Sequence, residues 1–293
     1  MWIVTYLLIV EQLGVLNQEV KRINLTCLPY ERRYRKSNLI ELFIILVLIG
    51  FGSGIIGSLI GVGGGIVMTP VLAYMGFPPA VIASSSLIAI FATSISSTLT
   101  YIRKKYINYF LGLKLALPAI PGSIIGGFFS NFISLEYFKV YFALLLISVG
   151  VYIFFKNKII NKTLDTIPKP LFYLILISGT FGAGIISSLF GIGGGIIFVP
   201  ILVLIYKMKM INASPTAQFT LLISTITGLL THIILEHPEY SYGIALAFGA
   251  FFGAQLGSRS IHLINENTLS KMLSFSLIII AINLVIDYIR SLK

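Results

Sequence analysis

Two stretches of the chain carry a glycine pattern whose chemistry is that of bare backbone amides. Gly61, Gly63, Gly64 and Gly65 stand in G-V-G-G-G and are followed, after four residues, by Pro70. Gly191, Gly193, Gly194 and Gly195 stand in G-I-G-G-G, with Pro200 at the same spacing. Each glycine costs about 1 kcal/mol against alanine inside a helix, so each run predicts a break between two half-helices. A helix that starts at such a break aims unpaired N–H groups and a partial positive charge into it. Without side chains, these amides let a ligand approach the backbone closely. Two such breaks facing each other near a membrane midplane would hold an anion without a buried lysine or arginine. The competing reading is close packing. Gly57-xxx-Gly61-xxx-Gly65 and Ser187-xxx-Gly191-xxx-Gly195 are small-xxx-small patterns that bring helices together. Packing accounts for the i, i+4 spacing but not for the contiguous glycines.

Small polar residues follow each motif. Ser84, Ser85 and Ser86 open one apolar segment, with Ser214, Thr216 and Gln218 in the matching place. They offer donors for an anion cage, or helix caps and interhelical hydrogen bonds. Pro215 interrupts the second set and reduces its symmetry with the first. Thr93, Ser94, Ser96, Ser97 and Thr98, matched by Ser224, Thr225 and Thr227, line a polar path or bond back to their own helix. Arg259, about a turn from its segment's end, attracts anions at a cavity mouth or snorkels to the interface; Lys114 is similar. His232 is a candidate proton relay.

The elements that position these residues are set by hydropathy. The chain is 293 residues long, 57% hydrophobic and only 11% charged. A soluble domain carries roughly 25% charged residues. So little polar surface requires a lipid-facing exterior. No Asp, Glu, Lys or Arg occurs between Glu41 and Arg103. As one helix that stretch would run about 90 Å, against a hydrocarbon core of about 30 Å, so it folds back on itself. We read spans at 39–60, 80–102, 110–130, 137–155, 171–190, 212–234, 243–262 and 270–289. Short pieces at 65–75 and 195–206 are too short to span and suit half-helices. The net charge of +11 is scattered in short clusters between apolar runs, as in membrane-flanking loops, which argues against nucleic-acid binding. Cys27 is the only cysteine, an inert thiol, so no disulfide and no cysteine metal site is expected.

The chain is also a duplication. Residues 51–72 and 181–202 are identical at 14 of 22 positions at an offset of 130. Ser84 pairs with Ser214, and with one residue of slip Gly122 and Gly126 pair with Gly253 and Gly257. Repeats flanking a central site are characteristic of secondary transporters. The expected fold is an all-α integral membrane protein of about eight transmembrane helices, from two tandem four-span repeats, each with a glycine-broken re-entrant segment. A basic tail (1–38), repeat 1 (39–155), a linker (156–170) and repeat 2 (171–293) complete the division. Counted by the positive-inside rule, the tail, the Arg103–Lys105 loop, the linker and the C-terminal end share the cytoplasmic side. That places Lys207 and Lys209 outside and Glu236 and Glu239 inside. Five crossings per half would instead make the repeats inverted.

The paired glycine motif, the duplication and the small-residue segments after it resemble the sulfite exporter TauE/SafE family of membrane permeases, over about residues 39 to 290. The resemblance implies transport, as export, of sulfite, organosulfonates or related small anions across the plasma membrane. It implies coupling to an ion gradient, which we take to be H+. By position, the family's glycine motifs fall on the ten glycines and prolines named above. No cofactor and no nucleic-acid partner is expected. An importer of a different small anion or ion is the alternative. A membrane scaffold has no need of duplicated broken helices. An intramembrane enzyme lacks H-E-x-x-H, G-x-S-x-G and any carboxylate pair at span depth.

Overall fold

The computed structural model describes residues 39–159 and 169–263, with isolated helical positions at 278, 281, 282, 285 and 286. The basic tail and, apart from those positions, the expected span 270–289 lie outside the described residues. The chain divides into two units, Met1–Phe43 and Ile44–Lys293. Of the first, only the opening turn of a helix is described.

Among the described residues the regular structure is helical throughout. α1 (Leu39–Ile60), α2 (Gly65–Tyr74), α3 (Pro79–Arg103), α4 (Tyr109–Phe129) and α5 (Leu135–Ile159) form the first series. α6 (Lys169–Phe190), α7 (Gly195–Pro200), a π turn (Ile201–Ile205), α8 (Met210–Ile234) and α9 (Tyr240–Arg259) form the second. Among the described residues, five stretches are long and apolar enough to cross a membrane: Glu41–Ile60, Pro79–Arg103, Tyr109–Phe129, Tyr173–Phe190 and Met210–Ile234. Their outward faces carry large apolar side chains such as Leu117, Leu174, Leu230 and Ile234, as lipid requires and water does not.

The two series correspond helix by helix. Gly65 and Gly195 start α2 and α7 at a shift of 130, whereas Pro79 and Met210 start α3 and α8 at a shift of 131. The extra residue sits in the π turn, whose i→i+5 pattern absorbs one insertion without ending the helix. Its mark is a pair of equivalent bonds: Met75 N–H donates to Val71 O, and Tyr206 N–H donates to Ile201 O, one residue further back. The structural counterpart of Ser214 is therefore Ala83, not Ser84. Gly61 lies against Ser214 just as Gly191 lies against Ala83.

Glycine seams hold the helices together, and they fix the directions. On α9, Gly249, Gly253 and Gly257 face Val47, Phe51 and Ile55 of α1, rising together, so these helices are parallel. α3 also runs parallel to α9: the ring of Phe77, just before α3, meets Tyr242, Ser96 Oγ donates to Phe251 O, and Lys104 Nζ donates to Arg259 O. On the other seam, Gly122 and Gly126 of α4 face Phe181 and Ile185 of α6. Gly112 and Gly127 of α4 face Phe219 and Thr231 of α8, so α4, α6 and α8 share a direction. It is opposite to the first, because Leu87 of α3 packs at Gly228 of α8 while Ser94 reaches back to Gln218.

Parallel α1 and α3 correct the expectation of two four-span repeats in one orientation. The chain must travel back between α1 and α3, and α2 carries it. The first half thus runs opposite to the second, and the duplication is inverted. Arg103, Lys104, Lys105, Lys207, Lys209 and Arg259 gather at one end of the bundle, and Glu136, Glu236 and Glu239 with Lys139 gather at the other. Lys207 and Lys209 therefore share a side with the Arg103–Lys105 loop, and Glu236 and Glu239 do not. Single cysteines at Lys105 and Lys207, in a Cys27→Ser background, should label from the same side of sealed vesicles, and one at Glu236 only from the opposite side. Labelling of all three from one side would refute the inverted arrangement.

Candidate functional site

Both glycine runs are helix breaks. α1 ends at Ile60, and Gly61, Gly63 and Gly64 take positive φ of 89°, 84° and 85°. α6 ends at Phe190, and Gly191 and Gly193 take φ of 65° and 76°. These are left-handed conformations that side chains disfavour. Gly194 does not follow Gly64: its φ is −62°, so the two loops are not copies in detail.

The loops are buried and meet each other backbone to backbone. A Cβ on Gly65 would lie 2.5 Å from the carbonyls of Gly191 and Ile192. A Cβ on Gly195 would collide with Gly61 O and lie 2.6 Å from Val62 Cα. Ile90 and Leu221 close over Gly63 and Gly193. Each is the twelfth residue of a helix of 25, so the loops touch α3 and α8 at mid-length. Close packing therefore explains Gly65 and Gly195, which have no positive φ, while the turn explains their neighbours. α2 and α7 start at this meeting point, with Val67 and Met68 bonded to Gly64 O, and Ile197 and Phe198 bonded to Gly194 O. The first amides of each half-helix are the ones that a helix leaves without an internal acceptor.

A helix break also frees carbonyls, and polar side chains answer them. Gly57 O accepts from the amides of Gly61 at 2.9 Å and Val62 at 3.0 Å. It also takes Gln218 Nε2 at 2.6 Å, and Gln218 Oε1 in turn accepts from Ser94 at 3.3 Å. Ser58 O takes the Tyr101 hydroxyl at 2.8 Å and the Ser214 hydroxyl at 3.0 Å. In the second copy, Gly191 O accepts from Thr69 Oγ1 at 2.9 Å, and Phe190 O lies 3.1 Å from the same hydroxyl. Ser188 O takes His232 Nε2 at 2.9 Å.

The sequence candidates thus divide. Ser214 and Gln218 reach the first break, and Ser86 stands 3.4 Å from Thr69 at the second. Ser84 donates to Val81 O and His237 O, and Thr216 to Asn212 O while accepting from Asn108 N–H. Ser85 Oγ is buried without a protein partner. Pro70 lies within α2, and Pro200 closes α7. Arg259 is exposed at the end of α9, where its carbonyl takes Lys104. Lys114 lies over the Tyr173 ring, 4.5 Å from its centre. Thr93, Ser97 and Thr225 bond back to their own helices, Thr227 bonds its own helix and also meets Ser123 of α4 at 2.6 Å, and Ser96 crosses to α9. Among the described residues, no cluster of three or more His, Cys, Asp or Glu is placed to hold a metal ion.

Three contributors are missing from the sequence reading: Thr69, Tyr101 and His237. Tyr101 stands opposite His232 at a shift of 131, and the two donate to the equivalent carbonyls Ser58 O and Ser188 O.

A model of the family described as sulfite exporter TauE/SafE matches residues 46–284. "Probable membrane transporter protein YunE" of Bacillus subtilis (strain 168) is 33% identical over 271 residues, covering 85% of this chain and 99% of that protein. "Probable membrane transporter protein MJ0441" of Methanocaldococcus jannaschii is 30% identical over 247 residues, covering 78% and 90%. "Probable membrane transporter protein ORF9" of Sinorhizobium sp is 24% identical over 254 residues, covering 86% and 96%. No solved structure matches the chain.

Close packing separates the glycines by cost. Gly76 has φ of 82° but open space around it, so Gly76→Ala should cost only the left-handed strain, about 1–2 kcal/mol. Gly65→Ala must push two backbones apart and should lower the unfolding temperature of the purified protein more than Gly76→Ala. Equal shifts would contradict a tight loop-to-loop contact.

Proposed function

We propose that this chain, which belongs to the sulfite exporter TauE/SafE family, is a secondary transporter that exports small anions such as sulfite or organosulfonates. The observation that carries the reading is the meeting of two helix breaks at mid-bundle. Broken backbone at membrane depth is tolerated where it is buried in protein or lines a watery cavity, and inverted repeats with discontinuous helices place such a site at the repeat interface. Here the amides of the first turns of α2 and α7 converge, and the positive ends of those half-helices favour a negative solute.

The proposed binding residues are Gly61, Gly63, Gly64, Gly65 and Gly191, Gly193, Gly194, Gly195, with Ser86, Ser214 and Gln218 alongside. Pro70 and Pro200 shape the half-helices behind them. Ser85 contributes a hydroxyl that has no protein partner. Ser84 and Thr216 act as positioning groups in this arrangement, and Arg259 acts at the surface. With Ile90 and Leu221 seated on the glycines, this conformation is a closed one. Movement of α3 against α8 would lift both plugs together and admit the anion from one side at a time.

The orientation follows from charge. The end that holds Arg103, Lys104, Lys105, Lys207, Lys209 and Arg259 faces the cytoplasm by the positive-inside rule. The start of α1 then faces outward, and the six basic residues Lys21, Arg22, Arg32, Arg33, Arg35 and Lys36 pull the other way. The loops carry the greater weight here because, among the described residues, Glu136, Glu236 and Glu239 gather at the opposite end. With α1 and α2 counted as one inward-reaching hairpin, the plasma membrane is crossed by inverted halves.

A flux assay tests the function. Purified protein in liposomes should move labelled sulfite or methanesulfonate down a gradient. Gly64→Leu and Gly194→Leu should reduce that flux at least about tenfold, an amount equal to about 1.4 kcal/mol in the transport barrier, while Gly76→Ala keeps it. Size-exclusion profiles confirm that each variant is folded. Wild-type flux in both folded glycine variants would remove the site, and no flux of either anion by the wild type would remove the function.

A further inference from the structure

The loop after α8 folds a histidine back onto the helix it leaves. Glu236 takes φ of 57°, and the His237 amide donates to His232 O at 3.0 Å. The two imidazoles then face each other, Nδ1 to Nδ1, at 2.8 Å. His232 is fully buried, and His237 is 9% exposed. His237 Nε2 is buried and has no protein partner.

Proton positions follow from the partners. Ser188 O only accepts, so His232 Nε2 carries a hydrogen. In a neutral His232, Nδ1 is then bare and accepts. His237 Nδ1 must therefore be the donor, which leaves His237 Nε2 as a bare lone pair. The buried atom without a partner is thus a proton acceptor. A second proton on the pair would set N–H against N–H and break the contact, so the pair takes up one proton only.

We propose that His237 and His232 form a one-proton relay that places positive charge beside the second glycine break and couples proton movement to anion movement. The inference rests on the transport reading above and specifies where its coupling ion binds. A proton from water bonds to His237 Nε2. The Nδ1 proton of His237 passes to His232 Nδ1. His237 is left neutral with its hydrogen on Nε2, and His232 becomes an imidazolium. Its Nε2–H points at Ser188 O, three residues before Gly191. An anion at the glycine amides gains an opposite charge nearby, and loses it when the proton leaves.

The surroundings leave the pair free to respond. On its own loop stand Glu236 and Glu239, both exposed. α3 presents only the hydroxyl of Ser84, on His237 O, and α6 only the carbonyl of Ser188. No carboxylate among the described residues is bonded to either ring. Burial pushes His237 below its ordinary imidazole value. Burial therefore holds His237 toward its neutral form, and the proton is gained as the pH falls. The first copy has no such device. Tyr101 and Tyr106 occupy the places of His232 and His237.

The test uses the full chain in liposomes loaded with a pH-sensitive dye, under an imposed gradient of methanesulfonate or sulfate, neither of which carries a proton itself. Wild-type protein should move protons with the anion, and its flux should rise as the pH falls, by up to about tenfold per unit. His237→Gln and His232→Tyr should keep anion flux but lose proton movement and the pH dependence. The tyrosine variant copies the first half's cap, and its size-exclusion profile checks that it is folded. In 15N-histidine-labelled protein at neutral pH, His237 should appear as the Nδ1–H tautomer and His232 as the Nε2–H tautomer. Anion flux without proton movement in the wild type, or coupling unchanged in both variants, overturns the relay while sparing the transport reading. Absence of flux of both anions overturns the transport reading, and the relay with it.

Discussion

The constraint on which the rest of this structure depends is that a helix broken inside a membrane must satisfy its own backbone. At each break, carbonyls lose their amide partners at the end of α1 or α6, and amides lose theirs at the start of α2 or α7. Bulk water is not there to replace them, and each unmet group costs several kcal/mol. The protein brings side-chain donors to the carbonyls: Tyr101 and Ser214 on Ser58 O, with Gln218 on Gly57 O beside its amide donors, at one break, and Thr69 and His232 at the other. Donors come largely from the opposite half. Gln218 and Ser214 serve the first break, and Thr69 serves the second. The exchange ties the two halves together at the place where each is weakest.

The glycine seams extend the same exchange outward. α1 lies on α9, and α6 lies on α4, so each long seam joins the first half to the second. Gly249, Gly253 and Gly257 repeat the role of Gly122 and Gly126, each placing its bare Cα over a carbonyl of the facing helix. Without hydrophobic drive between helices in lipid, such close approach is the main source of association. The inverted symmetry makes each seam the counterpart of the other.

Much of this was legible in the sequence. Hydropathy and the glycine and proline punctuation placed the helices from Leu39 to Arg259 within a few residues, because lipid sets their length and composition. The doubled G-x-G-G-G gave both breaks. Helix direction was not legible. A crossing reads the same forward and backward in hydropathy, and in the charge count the basic tail sided with the Arg103–Lys105 loop against Lys207 and Lys209. The pairing of Ser84 with Ser214 failed for a different reason. The inserted residue lies in the π turn at Ile201–Ile205, where the composition is uniformly apolar and offers no marker. That same slip hid the match of Tyr101 with His232, whose types differ although their task is shared. Ser84, Thr216 and Arg259 suited an anion by type, but side-chain chemistry alone does not say which way a helix turns its face.

The crossed seams bear on how the polypeptide is made. Residues leave the ribosome in order, so α1 enters the bilayer long before α9 exists to cover its glycines, and α4 waits in the same way for α6. Neither half owns the surface that its own seam needs. The nascent first half must remain loosely associated, and the bundle locks only once the last of these helices has been inserted.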